Sequence, residues 1–488
     1  MSASVLVDPN GPAHIVGATP PHGAINSPAP PLNRTPESKA AKTGLGGFLV
    51  AAVAAIPLVF LPNGSLGGET VFLVPKLSWL ALVVVPSTLW LARRSIVSLR
   101  PLALPAALVT WMFAASTLHQ HRAISIFGRA ERLDGALPHV GLLIAALGGA
   151  ALLASGRRAS LGRALAVTGT AVAAIVILQR LGVIGNLTDP RASITLADMP
   201  GATIGNRGYA ACLVAGLLPF AIEQAMTTAR NQARFWAASG FTMAVAVGFA
   251  WTRGASVAAV AGLVIFAVSQ RNRRGRAVLA STLAIAGLLL GSLTSASALG
   301  TEGAPADRAH AFSAADSGRK PLYVASVWGI RHQPLIGFGA GGVLRAMQAA
   351  PPETVLRWAG LPARDAQRSA ESNDQHLVLL STNPDGTTSR YDNITTKAHN
   401  ELLDYAVSYG LPAAALAALT MAVALWRSRR DPALCGAITA FAVGLLTWPQ
   451  VMRTAPVPWC LLGLALAMKR PPVGDRLCPP GQRLSNES

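Results

Sequence analysis

Residues 254–298 read GASVAAVAGLVIFAVSQ-RNRRGR-AVLASTLAIAGLLLGSLTSASA: two apolar runs separated by six residues, four of them arginine. A bilayer core takes about 20 apolar residues in helical form. Each run meets that length, so the stretch predicts two membrane spans joined by a basic turn. Arginine and lysine concentrate in the short loops that stay in the cytoplasm. The turn at Arg271, Arg273, Arg274 and Arg276 therefore orients the hairpin.

The same alternation recurs along the chain. Apolar stretches lie near 45–62, 71–92, 101–118, 137–155, 164–183, 208–226, 236–252, 254–270, 277–298, 403–426, 433–450 and 454–469. Basic clusters at Arg93/Arg94/Arg100, Arg157/Arg158/Arg163, Arg230/Arg234, Arg427/Arg429/Arg430 and Lys469/Arg470 fall on one face of this count. The pattern predicts an all-α fold, a polytopic membrane helix bundle of about 12 transmembrane helices with one long, partly helical periplasmic loop. Residues 44–298 hold helices one to nine, 299–402 the large periplasmic loop, and 403–470 helices ten to twelve. Residues 1–43 and 471–488 read as cytoplasmic tails, the first rich in Pro, Ala and Ser and expected to be disordered.

Composition agrees. Of 488 residues 51% are hydrophobic and 13% charged, against about 25% charged in soluble domains. The net charge of +19 sits in the turns between spans and forms no stripe on a soluble domain, which argues against nucleic acid as a partner. Cys212, Cys435, Cys460 and Cys478 are scattered, without the spacing of a disulfide framework or zinc site. Gly337-Phe338-Gly339-Ala340-Gly341-Gly342 matches a dinucleotide fingerprint formally, but no βαβ pattern surrounds it. No cofactor is expected. The first external loop has a single acid, Glu69, and no acidic pair to hold a divalent cation, so no metal is expected either.

Within the long loop, Tyr323, Val327 and Ile330 predict a helix over 319–331, ended by Pro334 and the glycines after it. Residues 371–395 read as irregular chain. A helix is expected to begin near Lys397 and to run through His399 into the tenth span.

The chemistry-bearing residues are those on the wrong side of the charge rule. Arg122, Arg129, Arg132, Arg191, Arg207, Arg253 and Arg319 all fall on the external face. A guanidinium offers a planar fork for phosphate oxygens and stays charged when partly desolvated. Arg253 and Arg319, with Arg132 and Arg207 behind them, are the candidate ligands of a lipid-linked diphosphate. The same side chains also suit headgroups or nearby acids such as Glu131 and Asp134. His399 can take a proton from a hydroxyl near pH 7 or serve a helix start. Asn400 and Glu401 can orient a substrate or cap the helix.

Several segments, taken in order, resemble the O-antigen ligase and O-antigen polymerase superfamily of bacterial membrane glycosyltransferases. They are Val74-Pro75-Lys76, Phe127-Gly128-Arg129 with Glu131-Arg132-Leu133-Asp134-Gly135, and Gly205-Asn206 before the sixth span, where Arg207 and Gly208 depart from the signature. Thr252-Arg253-Gly254-Ala255 comes next, then Gly318-Arg319 with Trp328 and Pro334-Leu335-Ile336-Gly337-Phe338-Gly339. Ala398-His399-Asn400-Glu401-Leu402 with Tyr409-Gly410-Leu411 completes the series. The likeness covers roughly residues 45–465.

The resemblance implies transfer of a glycan from a polyprenyl-diphosphate carrier to an acceptor hydroxyl on the periplasmic side of the bacterial inner membrane, without a metal. His399 would be the general base or orient the attacking hydroxyl; Arg253, Arg319, Arg132 and Arg207 would hold the diphosphate. Ligase, with a lipid A–core acceptor, stands slightly ahead of polymerase, with a glycan acceptor. A protein O-oligosaccharyltransferase uses the same donor. A lipid-linked sugar transporter or flippase also suits twelve spans, but needs polar groups near mid-membrane. Here Lys76, Arg180 and Glu223 lie near span ends.

Overall fold

The computed structural model describes residues 36–61, 70–95, 97–129, 133–185, 187, 200–270, 273–299, 319–373, 376–393 and 395–468. Contacts divide the chain into two units, residues 1–40 and 41–488, and the helical bundle with its polar end belongs to the second.

The protein is mostly helical. Helices α1 (Pro36–Ala55), α2 (Val71–Ser95), α3 (Ala103–Thr117), α4 (Arg122–Phe127) and α5 (Ala136–Ala154) are followed by α6 (Arg158–Arg180), α7 (Arg207–Thr227) and α8 (Arg230–Phe249). Then come α9 (Arg253–Ser269), α10 (Arg274–Leu299), α11 (Arg319–His332), α12 (Gly342–Ala349) and α13 (Pro352–Trp358). After a small sheet the chain closes with α14 (Glu401–Tyr409), α15 (Leu411–Ser428), α16 (Pro432–Leu445) and α17 (Pro456–Ala467).

Every one of the twelve apolar stretches contains a helix. Among the described residues, six helices are long and apolar enough to cross a membrane: α2, α5, α6, α7, α10 and α15. Helices α9, α16 and α17 are apolar but shorter. The last two are short because Thr447-Trp448-Pro449 and Pro456 leave residues 446–455 outside regular helix. Such backbone is tolerated at membrane depth only where protein surrounds it.

The apolar helices pack through small residues, which let backbones approach where lipid offers no hydrophobic drive. A Cβ on Gly149 of α5 would lie 1.8 Å from the Cys460 carbonyl oxygen of α17, and one on Gly463 equally close to that of Ala146.

Polar contacts sort the connections into two ends. At one, Arg158 reaches Glu223 at 2.6 Å and grips Asp431 with both forks, while Arg273 donates to the Met226 carbonyl at 2.8 Å. At the other, the Lys76 ammonium donates to the carbonyls of Val59 (2.6 Å) and Thr203 (2.7 Å), and Arg453 to that of Ile204 (3.0 Å). The turns bearing Arg158 and Arg273 thus lie at one end, with Glu223 and Asp431, and the loops bearing Thr203 and Arg453 at the other. Arg158→Ala strands two carboxylates and is expected to cost about 3 kcal/mol, read as a lower unfolding temperature of detergent-purified protein. An unchanged melt would show that the triad is only a surface decoration.

The structure adds to or departs from the sequence-based expectation in three places. First, the long loop is not purely helical plus irregular chain: residues 364–393 form a three-stranded antiparallel sheet. Strands β1 (Arg364–Arg368), β2 (Leu377–Thr382) and β3 (Thr388–Asn393) run in the order β1-β2-β3, with Leu377 opposite Asn393 and Thr382 opposite Thr388. Leu377 and Leu379 enter a second core with Leu322, Val343, Met347, Leu356 and Val407. The Asn383-Pro384-Asp385-Gly386 turn closes the hairpin, with Gly386 at φ +85° and Asn383 N–H donating to the Thr387 carbonyl at 2.8 Å. Second, the helix at 319–332 is present but buries Leu322, Ala325, Ser326 and Gly329, leaving Val327 exposed.

Third, no helix runs through His399 into a span at 403–426. Helix α14 begins at Glu401 and stops at Tyr409. Gly410, at φ +86°, turns the chain into α15; a Cβ there would meet the Leu335 carbonyl oxygen at 1.8 Å. The Pro334–Gly342 turn presses into that corner, Phe338 and Gly339 donating to the carbonyls of Val407 and Ser408 at 2.8 Å each.

Candidate functional site

His399 stands outside the helix, in left-handed conformation at φ +59°, a state that costs a non-glycine residue about 1–2 kcal/mol. Both flanks hold it there. Ala398 is 0% exposed within the second core, and its N–H donates to Asp404 Oδ1 at 2.7 Å. Asn400 is the N-cap of α14, its Oδ1 accepting from Leu402 N (3.1 Å) and Leu403 N (3.2 Å). Two anchored neighbours extrude the imidazole, which stays half-buried.

What it faces is the irregular segment between α16 and α17. The Trp448 ring lies 5.8 Å from that of His399, edge to face. The Arg319 guanidinium, from the first residue of α11, sits over the same indole at 5.6 Å, a geometry worth about 0.5–2 kcal/mol. Tyr209 of α7 packs edge-on at 5.3 Å, and Arg453 lies over Tyr209 at 5.7 Å. Trp448 is thus a hub for a histidine, an arginine and a tyrosine from three distant parts of the chain. Gly208 admits it, since a Cβ there would meet the indole at 2.3 Å.

A buried polar network lies behind the histidine. Glu401 Oε2 accepts from Gln450 N at 2.6 Å, and Gln450 Oε1 from the Trp459 indole N–H at 2.8 Å. Tyr409 donates to the Asp134 carbonyl at 3.0 Å, and the Tyr405 hydroxyl pairs with His139 Nε2 at 3.3 Å. Lys397 lines this polar cage with Asp134, His139, Glu401 and Gln450. Burial raises the Glu401 and Asp404 carboxyls, Asp404 to about 7, and the Lys397 ammonium offsets this only in part. Beside the network, an apolar cavity of about 330 Å³ opens between α3, α15, α16 and α17, with Glu401, Tyr405 and Gln450 at its polar end.

His399 and Arg319 therefore meet at Trp448. Asn400 spends its side-chain oxygen on the helix cap, and Glu401 ties the start of α14 to the Trp448 segment. Arg207 is the first residue of α7, one place before Gly208. Arg253 is the exposed first residue of α9; the adjoining Gly254 abuts Thr447, its would-be Cβ 2.0 Å from Thr447 Oγ1. Arg132 lies outside the described residues. Trp448, Tyr209, Arg453 and Asp404 were not singled out from the sequence.

Helix content and apolarity define a mostly helical protein with, among the described residues, six helices long and apolar enough to span a membrane, and a buried polar site at one end of the bundle. Comparison with protein-family profiles and with curated proteins finds no match for this chain.

Proposed function

We propose that this protein is a membrane glycosyltransferase of the O-antigen ligase type, moving a glycan from undecaprenyl diphosphate to an acceptor sugar hydroxyl. In this reading the bundle has twelve spans, the tenth being α15. Both termini lie in the cytoplasm, and the site opens on the periplasmic side of the inner membrane. The observation that carries the reading is the convergence of His399 and Arg319 on the Trp448 ring, at 5.8 and 5.6 Å, from segments that the family resemblance singled out separately.

The chemistry follows from that pairing. The acceptor hydroxyl attacks the anomeric carbon, His399 takes its proton, and the bond from that carbon to the diphosphate oxygen breaks. The polyprenyl diphosphate leaves with the bonding electrons. Arg319 offsets the charge that develops on the leaving oxygens, with Arg253 and Arg207 at the rim. Fixed cationic donors are most effective where water is excluded. Partners are then the lipid-linked donor, a lipid A–core or glycan acceptor, and the bilayer itself.

The experiment is the carbohydrate profile of a strain lacking the gene, run beside the complemented strain. Loss of long glycan from lipopolysaccharide, with carrier-linked polymer accumulating, is the expected result. A single repeat left on the lipid, or loss of a secreted polysaccharide alone, would move the assignment to a polymerase. An unchanged profile for every polysaccharide would overturn both.

A further inference from the structure

Asp404 is 1% exposed and has no part in the chemistry above, yet it makes the contact nearest to His399 on the backbone. Its Oδ1 accepts the N–H of Ala398 at 2.7 Å, and its own N–H donates to the Asn400 carbonyl at 2.9 Å. Residues 398 and 400 are thus both tied to the first turn of α14, and the residue between them has nowhere to go but outward. The second carboxyl oxygen, Oδ2, is buried and has no hydrogen-bond partner among the described residues. A buried carboxyl with one oxygen committed and the other idle is costly to keep. Mere helix capping does not call for it, since Asn400 already fills that role.

We infer that Asp404 is a positioning residue for His399: by accepting the Ala398 N–H it holds the left-handed turn that presents the imidazole to Trp448 and Arg319. The inference rests on the reading of His399 as the base. An ionised carboxylate accepts a stronger hydrogen bond than its protonated form. The groups facing it are Lys397 from the irregular segment before α14, Glu401 and Tyr405 from α14, and Asp134 from the loop before α5. Burial above all, with Glu401 and Asp134, opposes the ionised form, and Lys397 and the Ala398 N–H favour it, which brings the carboxyl to about 7. The ionised fraction therefore falls as pH drops through neutrality, and the latch loosens on the acid side.

The test uses full-length protein in detergent with a lipid-linked glycan donor, and limited trypsin digestion at Lys397 as a readout independent of transfer. Asp404→Ala is expected to lower kcat roughly ten- to a hundredfold, as a small misplacement of a reacting group does, with the donor KM within about threefold. It should also open the bond after Lys397 to trypsin. Asp404→Asn keeps an acceptor for Ala398 but cannot ionise. It should be cut at Lys397 more slowly than Asp404→Ala but faster than wild type at pH 8, hold kcat near the level wild type reaches once Asp404 is protonated, and show a shallower acid limb, because its latch no longer changes with pH. Asp404→Ala with wild-type kcat, or with lowered kcat and an uncut Lys397 segment, would overturn the inference. If wild-type protein transfers no glycan, the glycosyltransferase reading fails, while the trypsin arm still decides whether Asp404 latches the turn.

Discussion

His399→Asn is expected to lower the transfer rate by about 10²–10⁴, the usual contribution of a general base, while leaving the protein folded. Asparagine is the right replacement because of the backbone. At φ +59° most side chains are strained, whereas asparagine, like histidine, enters the left-handed region readily. The substitution keeps the turn between Ala398 and Asn400 and removes the proton acceptor. Alanine confounds the two effects, since it adds backbone strain to the loss of the ring. Transfer is measured with detergent-purified protein and lipid-linked glycan, with thermal unfolding as the folding control. A His399→Asn variant with wild-type turnover would remove the histidine from the mechanism. One that melts well below wild type would make its role architectural.

The helices were legible because apolar runs of span length admit little else, and all twelve stretches contain one. Their lengths were less legible. Helices α16 and α17 fall short of a full span because Pro449 and Pro456 break the pattern at the point where the site needs irregular backbone. The sheet was missed for a different reason. Its polar strands resemble loop by composition, and the hairpin signal Asn383-Pro384-Asp385-Gly386 went unweighed beside the apolar Leu377–Thr382 run. The break at Gly410 was equally visible as a glycine at a helix junction, but an apolar run on either side concealed it.

Of the candidate site, His399 and Arg319 were singled out from their placement and from the resemblance, and Arg453 was not, although the same argument reaches it. It lies between the last two spans, on the external side of the charge count, where an arginine is disfavoured. It is buried, over the Tyr209 ring, and holds the Ile204 carbonyl. Trp448 and Asp404 carry no such signal. A tryptophan at a span end reads as an interfacial anchor, and an aspartate in a first helical turn reads as a response to the helix dipole. The role of Trp448 arises only when Arg319 and Tyr209, from distant segments, fold against it, and that of Asp404 only when the chain before α14 turns back onto the helix's first turn.

Arg319→Ala is expected to cost about 10²–10³ in kcat, the range seen when one preorganised donor is lost from a developing anion. Arg319→Lys should recover little of it, because an ammonium neither lies flat on the indole nor offers two parallel donors to phosphate oxygens. Trp448→Leu separates binding from aim. It leaves the charge of Arg319 in place but removes the surface over which the guanidinium is held at 5.6 Å. If the indole acts by aiming Arg319, Trp448→Leu lowers kcat, and adding it to Arg319→Ala lowers kcat little further, since residues that work through one another are not additive. Fully multiplicative losses would mean that Trp448 acts apart from Arg319, through His399 or through Tyr209. The cycle is read in kcat with the donor KM followed in parallel. Charge that develops only as the diphosphate departs appears in kcat, whereas a group that merely holds the ground-state donor appears in KM.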